Sequence, residues 1–484
     1  AVKLKVIPDE HFQVIGSDTV SVAFDKPDEK LGFLKLKVRP ALGKATLRFS
    51  ASGNQHSAKA EVHIDVRSAN PATARTLRQV IKAGDTWEAK VLPHGLAGTN
   101  SVTLEMSAVP PLNLERRLDY LIQYPHGCVE QVTSSVFPQL YLAQLVKLEE
   151  GRRQTVEKNV QAGIDRLRGF QIPSGAFVYW PGGGWNAGSM GAQNAWATNY
   201  VGHFLLESER LGYGVSAAML ADWVKYQKSA AQSWSAGSGT SVLDQAYRLY
   251  TLALAKQPEL GAMNRLREMP NLPSVVRWQL AAAYGLAGSN DAARDLLKDD
   301  RVQIGDYAAP DNTFGSRLRD TAIVLNSALQ LERKAELKDL VDQVSGELAS
   351  DNWQSTQSVA YALLAMSRFV GAGETGAFNF ERAVGGGALQ AVKSAAPIAS
   401  SVLQGFPNAG AAVKVKNTSG RTLFGSIVVR GVAKAGEETA SSSGLSMSID
   451  YTDADGNAVD VSSLRQGADI IAHTAARVDR PCPR

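Results

Sequence analysis

Cysteine is nearly absent: 484 residues hold two, Cys128 and Cys482. That excludes a disulfide framework and a cysteine-rich zinc site, and leaves each thiol to be explained alone. An excess of one charge is also missing. Lys and Arg number 51 against 47 Asp and Glu, a formal charge of +4. So small a surplus gives no reason to expect nucleic acid or an anionic membrane as a partner. No apolar run is long enough to cross a bilayer, so a membrane is expected only through an anchor outside this segment. The opening Ala1-Val2-Lys3-Leu4-Lys5-Val6 alternates like a strand and is not laid out as a signal peptide. An export signal is therefore expected outside the segment as well.

What is present is an ordinary globular balance of apolar and charged residues, over a length that calls for several domains. The first hundred or so residues alternate in the strand period. Val20-Ser21-Val22-Ala23-Phe24, Phe33-Leu34-Lys35-Leu36-Lys37-Val38 and Ala60 to Val66 each carry one apolar and one polar face. Short strands between Gly, Pro, Asn and Asp turns suggest β-sandwich modules. A seam is expected at Arg67-Ser68-Ala69-Asn70-Pro71, followed by strands at Trp87–Val91 and Ser101–Met106.

The period changes near Pro110-Pro111. From there to about residue 385, helical stripes recur roughly every 40 residues, the length of a helix pair. They are Tyr200, Val201, Phe204, Leu205; Leu243, Tyr247, Tyr250, Leu254; Leu280, Ala283, Tyr284, Ala287; Thr321, Val324, Leu325, Ala328; and Val359, Leu363, Met366. Thr198, Asp244, Asp320 and Ser355 are candidate caps. Stacked pairs make an open solenoid or a closed α/α ring. Gly385-Gly386-Gly387 ends the helical part, and strands return at Ala412–Val415, Gly425–Val429 and Leu445–Tyr451, so the helices are inserted within, or flanked by, β modules. The tail from His473 to Arg484 lacks an apolar period.

The segment that carries chemistry is Tyr124-Pro125-His126-Gly127-Cys128-Val129-Glu130-Gln131. Pro-x-Gly makes a turn, and Val132, Val136 and Leu140 follow at helical spacing, which places Cys128 at a helix start. A thiol there is expected to be more acidic and more nucleophilic than usual. Residues i and i+3 share a face, so the Cys128 sulfur and the Gln131 carboxamide can meet. A thiolate held there can expel ammonia and form a thioester, a stored acylating agent that survives only away from water. Tyr179, Trp180, Trp185 and Trp196 follow in or near a Gly-rich stretch and are candidate shields.

Gly-Cys-x-Glu-Gln resembles the thioester signature of the α2-macroglobulin and complement family, and the stretch from Tyr124 through Phe137-Pro138 resembles its bacterial branch. Leu114-Glu115-Arg116-Arg117-Leu118, Gly175-Ala176-Phe177 with Trp180, and Asn194-Ala195-Trp196-Ala197-Thr198 are similar to the family's helical patterns. Tyr451-Thr452-Asp453-Ala454-Asp455-Gly456-Asn457 and Leu464-Arg465-Gln466-Gly467 are similar to its final β domain. The resemblance reaches to about Ala472 and corresponds to the C-terminal part of a family member. It implies a multidomain chain with an α/α-toroid thioester domain inserted between all-β sandwich modules. Residues 1–70 would be a macroglobulin-like sandwich, N-terminally incomplete; 71–110 and 386–440 the two parts of a CUB-like β domain; 111–385 the toroid; and 441–484 the start of a receptor-binding-like macroglobulin domain, truncated. It further implies a single-turnover endopeptidase inhibitor of the bacterial periplasm or cell envelope, with Cys128 and Gln131 joined as the thioester that captures an attacking endopeptidase through lysine. Tyr124, His126 and Glu130 are possible accessories. Complement members with a hydroxyl preference use a downstream histidine; the stretch Ser233 to Thr240 has none, which favours amine targets.

Plainer readings stand beside these. A free cysteine is usually a small buried hydrophobe. Glu130 is expected on a solvated or capping face, His203 as a satisfied core histidine, and Asp453, Asp455 and Asn457 as a hairpin turn, since the glycine comes too early for a calcium loop. No metal and no cofactor are expected. Competing functions are a partner-binding envelope scaffold with an idle motif, a cysteine hydrolase needing a histidine at the sulfur, and an α/α-ring glycosidase or cyclase needing two facing carboxylates.

Overall fold

The computed structural model describes residues 1–39, 41–68, 70–96, 98–112, 114–181, 194–236, 241–298, 301–305, 315–350, 352–372, 376–433, 445–464 and 467–478. Contacts divide the chain into two units. One comprises Ala1–Thr73, His94–Asn100 and Gly431–Arg484; the other comprises Ala74–Pro93 and Ser101–Arg430.

In the first unit a sheet runs in the order Thr19–Val22, Val2–Pro8, Gly43–Gly53, His56–Val66, beside a two-stranded pair, Phe12–Ile15 with Lys35–Val38. Its core is small: Val6, Phe12, Ala45 and Leu47. The expected alternation produces these strands, and the expected seam falls where His56–Val66 ends and Ala72–Ile81 begins. A further hairpin pairs Leu445–Thr452 with Ile471–Val478. The tail is therefore not aperiodic from His473: those residues continue a strand, because cross-strand pairing supplies the order that their composition does not.

In the second unit two four-stranded sheets face a shared core. One runs Gln390–Ser394, Phe378–Val384, Ala411–Asn417, Thr86–Val91; the other runs Ile398–Val402, Ser101–Ser107, Leu423–Val432, Ala72–Ile81. Leu104, Met106, Phe380, Val413 and Ile427 lie between them. Strands before the helices thus pair with strands after them, as in Leu104 opposite Ile427 and Val413 opposite Ala89. The helices are inserted within this sandwich.

Those helices are α1 (Leu114–Leu121), α2 (Val129–Val136), α3 (Gln139–Leu145), α4 (Glu150–Leu167), α5 (Ala195–Arg210), α6 (Ala217–Ser233), α7 (Val242–Leu254), α8 (Leu260–Arg267), α9 (Ser274–Leu286), α10 (Asn290–Leu296), α11 (Arg317–Gln330), α12 (Lys334–Ala349) and α13 (Thr356–Ala372). Contacts run from α2 to α5, then through α7, α9 and α11 to α13, which touches α2 again. α4, α6, α8, α10 and α12 each lie against one or two of these. The two sets differ as their sequences demand. α5, α7, α9 and α11 are buried on nearly every side, whereas α4, α6 and α12 bury a single stripe.

The caps correct the sequence expectation by a turn. α5, α7 and α11 are capped by Asn194, Ser241 and Ser316, whose side chains accept from Ala197, Asp244 and Arg319 backbone N–H. Thr198, Asp244 and Asp320 sit inside the first turn. Each true cap lies three or four residues earlier, just ahead of Ala195, Val242 and Arg317. Ser355 is the cap expected of it, accepting from Ser358 N–H at 3.2 Å.

Candidate functional site

The motif folds as a turn running into α2. Gly127 has φ +94°, a left-handed conformation suited to glycine. Cys128 is the N-cap residue, extended at φ −74° and ψ 172°. Its sulfur faces the backbone N–H of Gln131, while Gln131 reaches back so that Oε1 accepts from the Cys128 N–H at 3.0 Å. Sulfur and carboxamide are thus folded over the same half-turn, as the three-residue spacing requires. Gly127 makes room for this: a Cβ there would lie 2.1 Å from Gln131 Oε1.

The segment Gln171–Tyr179 lies over that turn. The Val129 N–H donates to the Tyr179 carbonyl at 3.1 Å, and Phe177 N–H donates to Thr198 Oγ1 at 3.1 Å, joining the segment to α2 and α5. Burial pushes the Tyr179 phenol up, and the charges of Glu130 and Cys128 add to the shift. Cys128 is half-buried and Gln131 exposed. Burial raises the Cys128 thiol above its ordinary value; the Gln131 backbone amide pulls it back only in part, and Glu130 raises it further. The expectation of an acidic thiol is therefore corrected: desolvation outweighs the helix N-terminus.

Glu130 also departs from expectation. Its side chain turns inward. Ser134 Oγ donates to Oε1 at 2.6 Å and lies 3.3 Å from Tyr200 OH. The Gln357 carboxamide at the start of α13 faces the same carboxylate, although its Nε2 falls outside ordinary hydrogen-bond geometry. Burial raises the Glu130 carboxyl, and Ser134 and Gln357 bring it partly back. Trp196 stands one residue further in, with Nε1 donating to Gln357 Oε1 at 3.3 Å and the Arg319 guanidinium 4.4 Å over its ring. It is a core residue behind the motif. Trp180 is 43% exposed, so it is not packed as a shield, and Tyr124, a candidate accessory, is 65% exposed. Trp185 lies outside the described residues. Ser134 has a signal in the sequence, four residues after Glu130 on one helix face. Gln357 has none, because only the tertiary fold brings α13 to α2.

The histidines do not face the sulfur. His126 Nδ1–H donates to the Tyr124 carbonyl at 3.0 Å. His203 is buried among Phe137, Tyr247 and Tyr250, with Nδ1 2.9 Å from Tyr247 OH, and burial pushes it down to about 3. It is the core histidine expected. At the far ends of the same helices, Glu207 receives Arg368 at 2.5 Å, Arg210 at 2.8 Å and Tyr141 OH at 3.0 Å. Burial would raise this carboxyl, but Arg368, His203 and Arg210 hold it below the usual range, so it serves as a counter-ion. Asp453 closes its turn by accepting from Asp455 N–H at 3.0 Å and Asn457 N–H at 2.8 Å, with Thr452 opposite Ala458: the hairpin turn expected there.

Among the described residues no group of His, Cys, Asp and Glu could hold a metal ion, and no helix is long and apolar enough to cross a membrane. No family model matches the chain. The α2-macroglobulin of Escherichia coli K12 is 29% identical over 388 residues, covering 67% of this chain and 21% of that protein. That of Pasteurella multocida is 26% identical over 324 residues, covering 61% and 17%. The chain thus spans about a fifth of the length of the curated relatives it matches. Among solved structures, native Escherichia coli α2-macroglobulin from domain MG7 to the C-terminus matches with a TM-score of 0.68 at 22% identity, over 98% of this chain and 76% of that one. Salmonella α2-macroglobulin reacted with methylamine matches with a TM-score of 0.65 at 22% identity, over 99% and 32%. Motif, relatives and fold agree: this is a bacterial α2-macroglobulin-like chain, matching the C-terminal part of those proteins.

Proposed function

We propose that Cys128 and Gln131 form an internal thioester, and that the protein containing this chain uses it to trap proteases covalently. The observation that carries the reading is the reciprocal fold-back at the start of α2, with Gln131 Oε1 3.0 Å from the Cys128 N–H and the sulfur on the same half-turn. In ring closure the sulfur adds to the Gln131 carboxamide carbon, a C–S bond forms, the C–N bond breaks and ammonia leaves. The Cys128 N–H is placed to stabilise negative charge on that oxygen, here and in the later transfer. When a lysine amine of a protease reaches the carbon, an amide forms and the thiol is released. Each molecule reacts once, so the protein is an inhibitor and not a turnover enzyme. The raised thiol fits this use, because a poor leaving group protects a stored ester.

The same reading takes the successive helix pairs as an α/α-toroid thioester domain of residues 111–385. The divided sandwich becomes a CUB-like domain of 71–110 and 386–440. Residues 1–70 become a macroglobulin-like domain, and 441–484 the start of a receptor-binding-like one. Residence in the periplasm or cell envelope, with endopeptidases as partners, follows from the same kinship. The test is the intact mass of the native chain with and without methylamine, beside a thiol count. A mass one ammonia below the translated sequence, rising by one methylamine as one thiol appears, is expected. A full mass with a free Cys128 and no methylamine uptake would sink the reading.

A further inference from the structure

Two buried carboxylates of the helical insert are held by cations, whereas the carboxylate beside the motif is not. Glu207 is held by Arg368 and Arg210, and Asp320 by Arg319. Glu130 has Ser134, Gln357 and, through Ser134, Tyr200 around it, all neutral, and no cation partner among the described residues. Holding an unpaired carboxylate even partly out of water is costly, and such a group beside a proposed reactive centre is a mark of function. Its place is telling. Glu130 lies between Cys128 and Gln131 in the first turn of α2, and its charge is felt by both Cys128 and Tyr179.

Resting on the thioester reading, we propose that Glu130 is the docking and proton-accepting group for the incoming nucleophile, and that the missing cation is the primary ammonium of that nucleophile. An ammonium cannot attack until it loses a proton. Bound against Glu130, it gives one proton to the carboxylate, and the freed lone pair adds to the Gln131 carbonyl carbon. The C–S bond breaks with its electron pair on Cys128 sulfur. The second nitrogen proton passes to the sulfur, giving a thiol, and Glu130 returns its proton to water. An alcohol brings no positive charge to the carboxylate, so the arrangement selects amines over hydroxyls. The titratable groups facing Glu130 are Tyr179 and Tyr200, both raised by burial, and Cys128, whose sulfur is acylated until the C–S bond breaks, so none of them competes for the proton near neutrality.

The test is the rate at which the full chain takes up methylamine, followed by intact mass from mildly acidic to mildly basic pH at fixed total methylamine. Without a base, only free amine reacts and the rate climbs about tenfold per pH unit. With Glu130 acting on methylammonium, the rate is flat once Glu130 is ionised. Glu130→Gln is expected to restore the steady climb and to fall about tenfold or more below the unmodified chain at neutral pH. A steady climb in the unmodified chain overturns the proposal, whether or not the variant closes its thioester. A chain without the ammonia deficit fails earlier, at the thioester itself.

Discussion

Gly127→Ala tests whether backbone geometry at one residue controls the proposed Cys128–Gln131 thioester. Two costs meet there. An alanine at φ +94° is strained by about 1–2 kcal/mol. Its Cβ would lie 2.1 Å from Gln131 Oε1 and 3.0 Å from Cδ, so the carboxamide must swing away. The carboxamide end is flexible and can move, but the 3.0 Å bond to the Cys128 N–H is then lost, about another 1 kcal/mol. A local cost of about 2–3 kcal/mol is modest against a chain with the large helical core seen here. The chain should therefore still fold, with circular dichroism and melting temperature close to those of the parent, while the thioester fails to form. Intact mass decides: the variant should show no ammonia deficit and one titratable thiol at Cys128. A folded Gly127→Ala chain that keeps the deficit and takes up methylamine at the parent rate would refute the claim that this approach of Gln131 is required.

Two further outcomes follow from the buried charges. Arg368→Met strands Glu207, whose side chain is fully buried; Arg210 remains as a partner but is half-exposed, so a loss of about 3 kcal/mol is expected in urea denaturation, with much of it recovered when Glu207→Gln is added. His203 has a folded value of about 3 against an ordinary 6.5, so the unfolded chain binds a proton that the native chain refuses. Stability is then complete above about pH 6.5 and falls as pH drops toward 3, by about 4–5 kcal/mol in all. His203→Gln should flatten that part of the acid limb, and an unchanged limb would show that another group governs it.

The helical stripes were legible because burial enforces their period. Tyr200, Val201, Phe204 and Leu205 are all buried, as are Thr321, Val324, Leu325 and Ala328 and the run Val359, Leu363 and Met366. The approach of Cys128 and Gln131 was legible because its geometry is local, a turn glycine and a three-residue spacing. Two kinds of feature were not. The acidity of Cys128 depends on competition between desolvation and backbone donors, and sequence displays only the donors. The inward turn of Glu130 depends on Gln357, and no local pattern announces a contact between the starts of α2 and α13. That Trp196, a candidate cover, packs in the core was hidden for the same reason: its neighbours are Gln357, Arg319 and Tyr247, all distant in sequence.

The divided sandwich also imposes an order in time. Thr86–Val91 and Ser101–Ser107 leave the ribosome well before Ala411–Asn417 and Leu423–Val432, the strands they pair with. Until then their edges are open, and the intervening helices must fold as a unit on an unfinished base. α2 is made early too, but Gln357, which faces Glu130, belongs to the last helix of the insert. The surroundings of Cys128 and Gln131 are thus completed only when the whole helical insert has been made. A chain halted before α13 would carry Cys128 and Gln131 without the wall behind them, so on the thioester proposal truncated products of synthesis would not be armed.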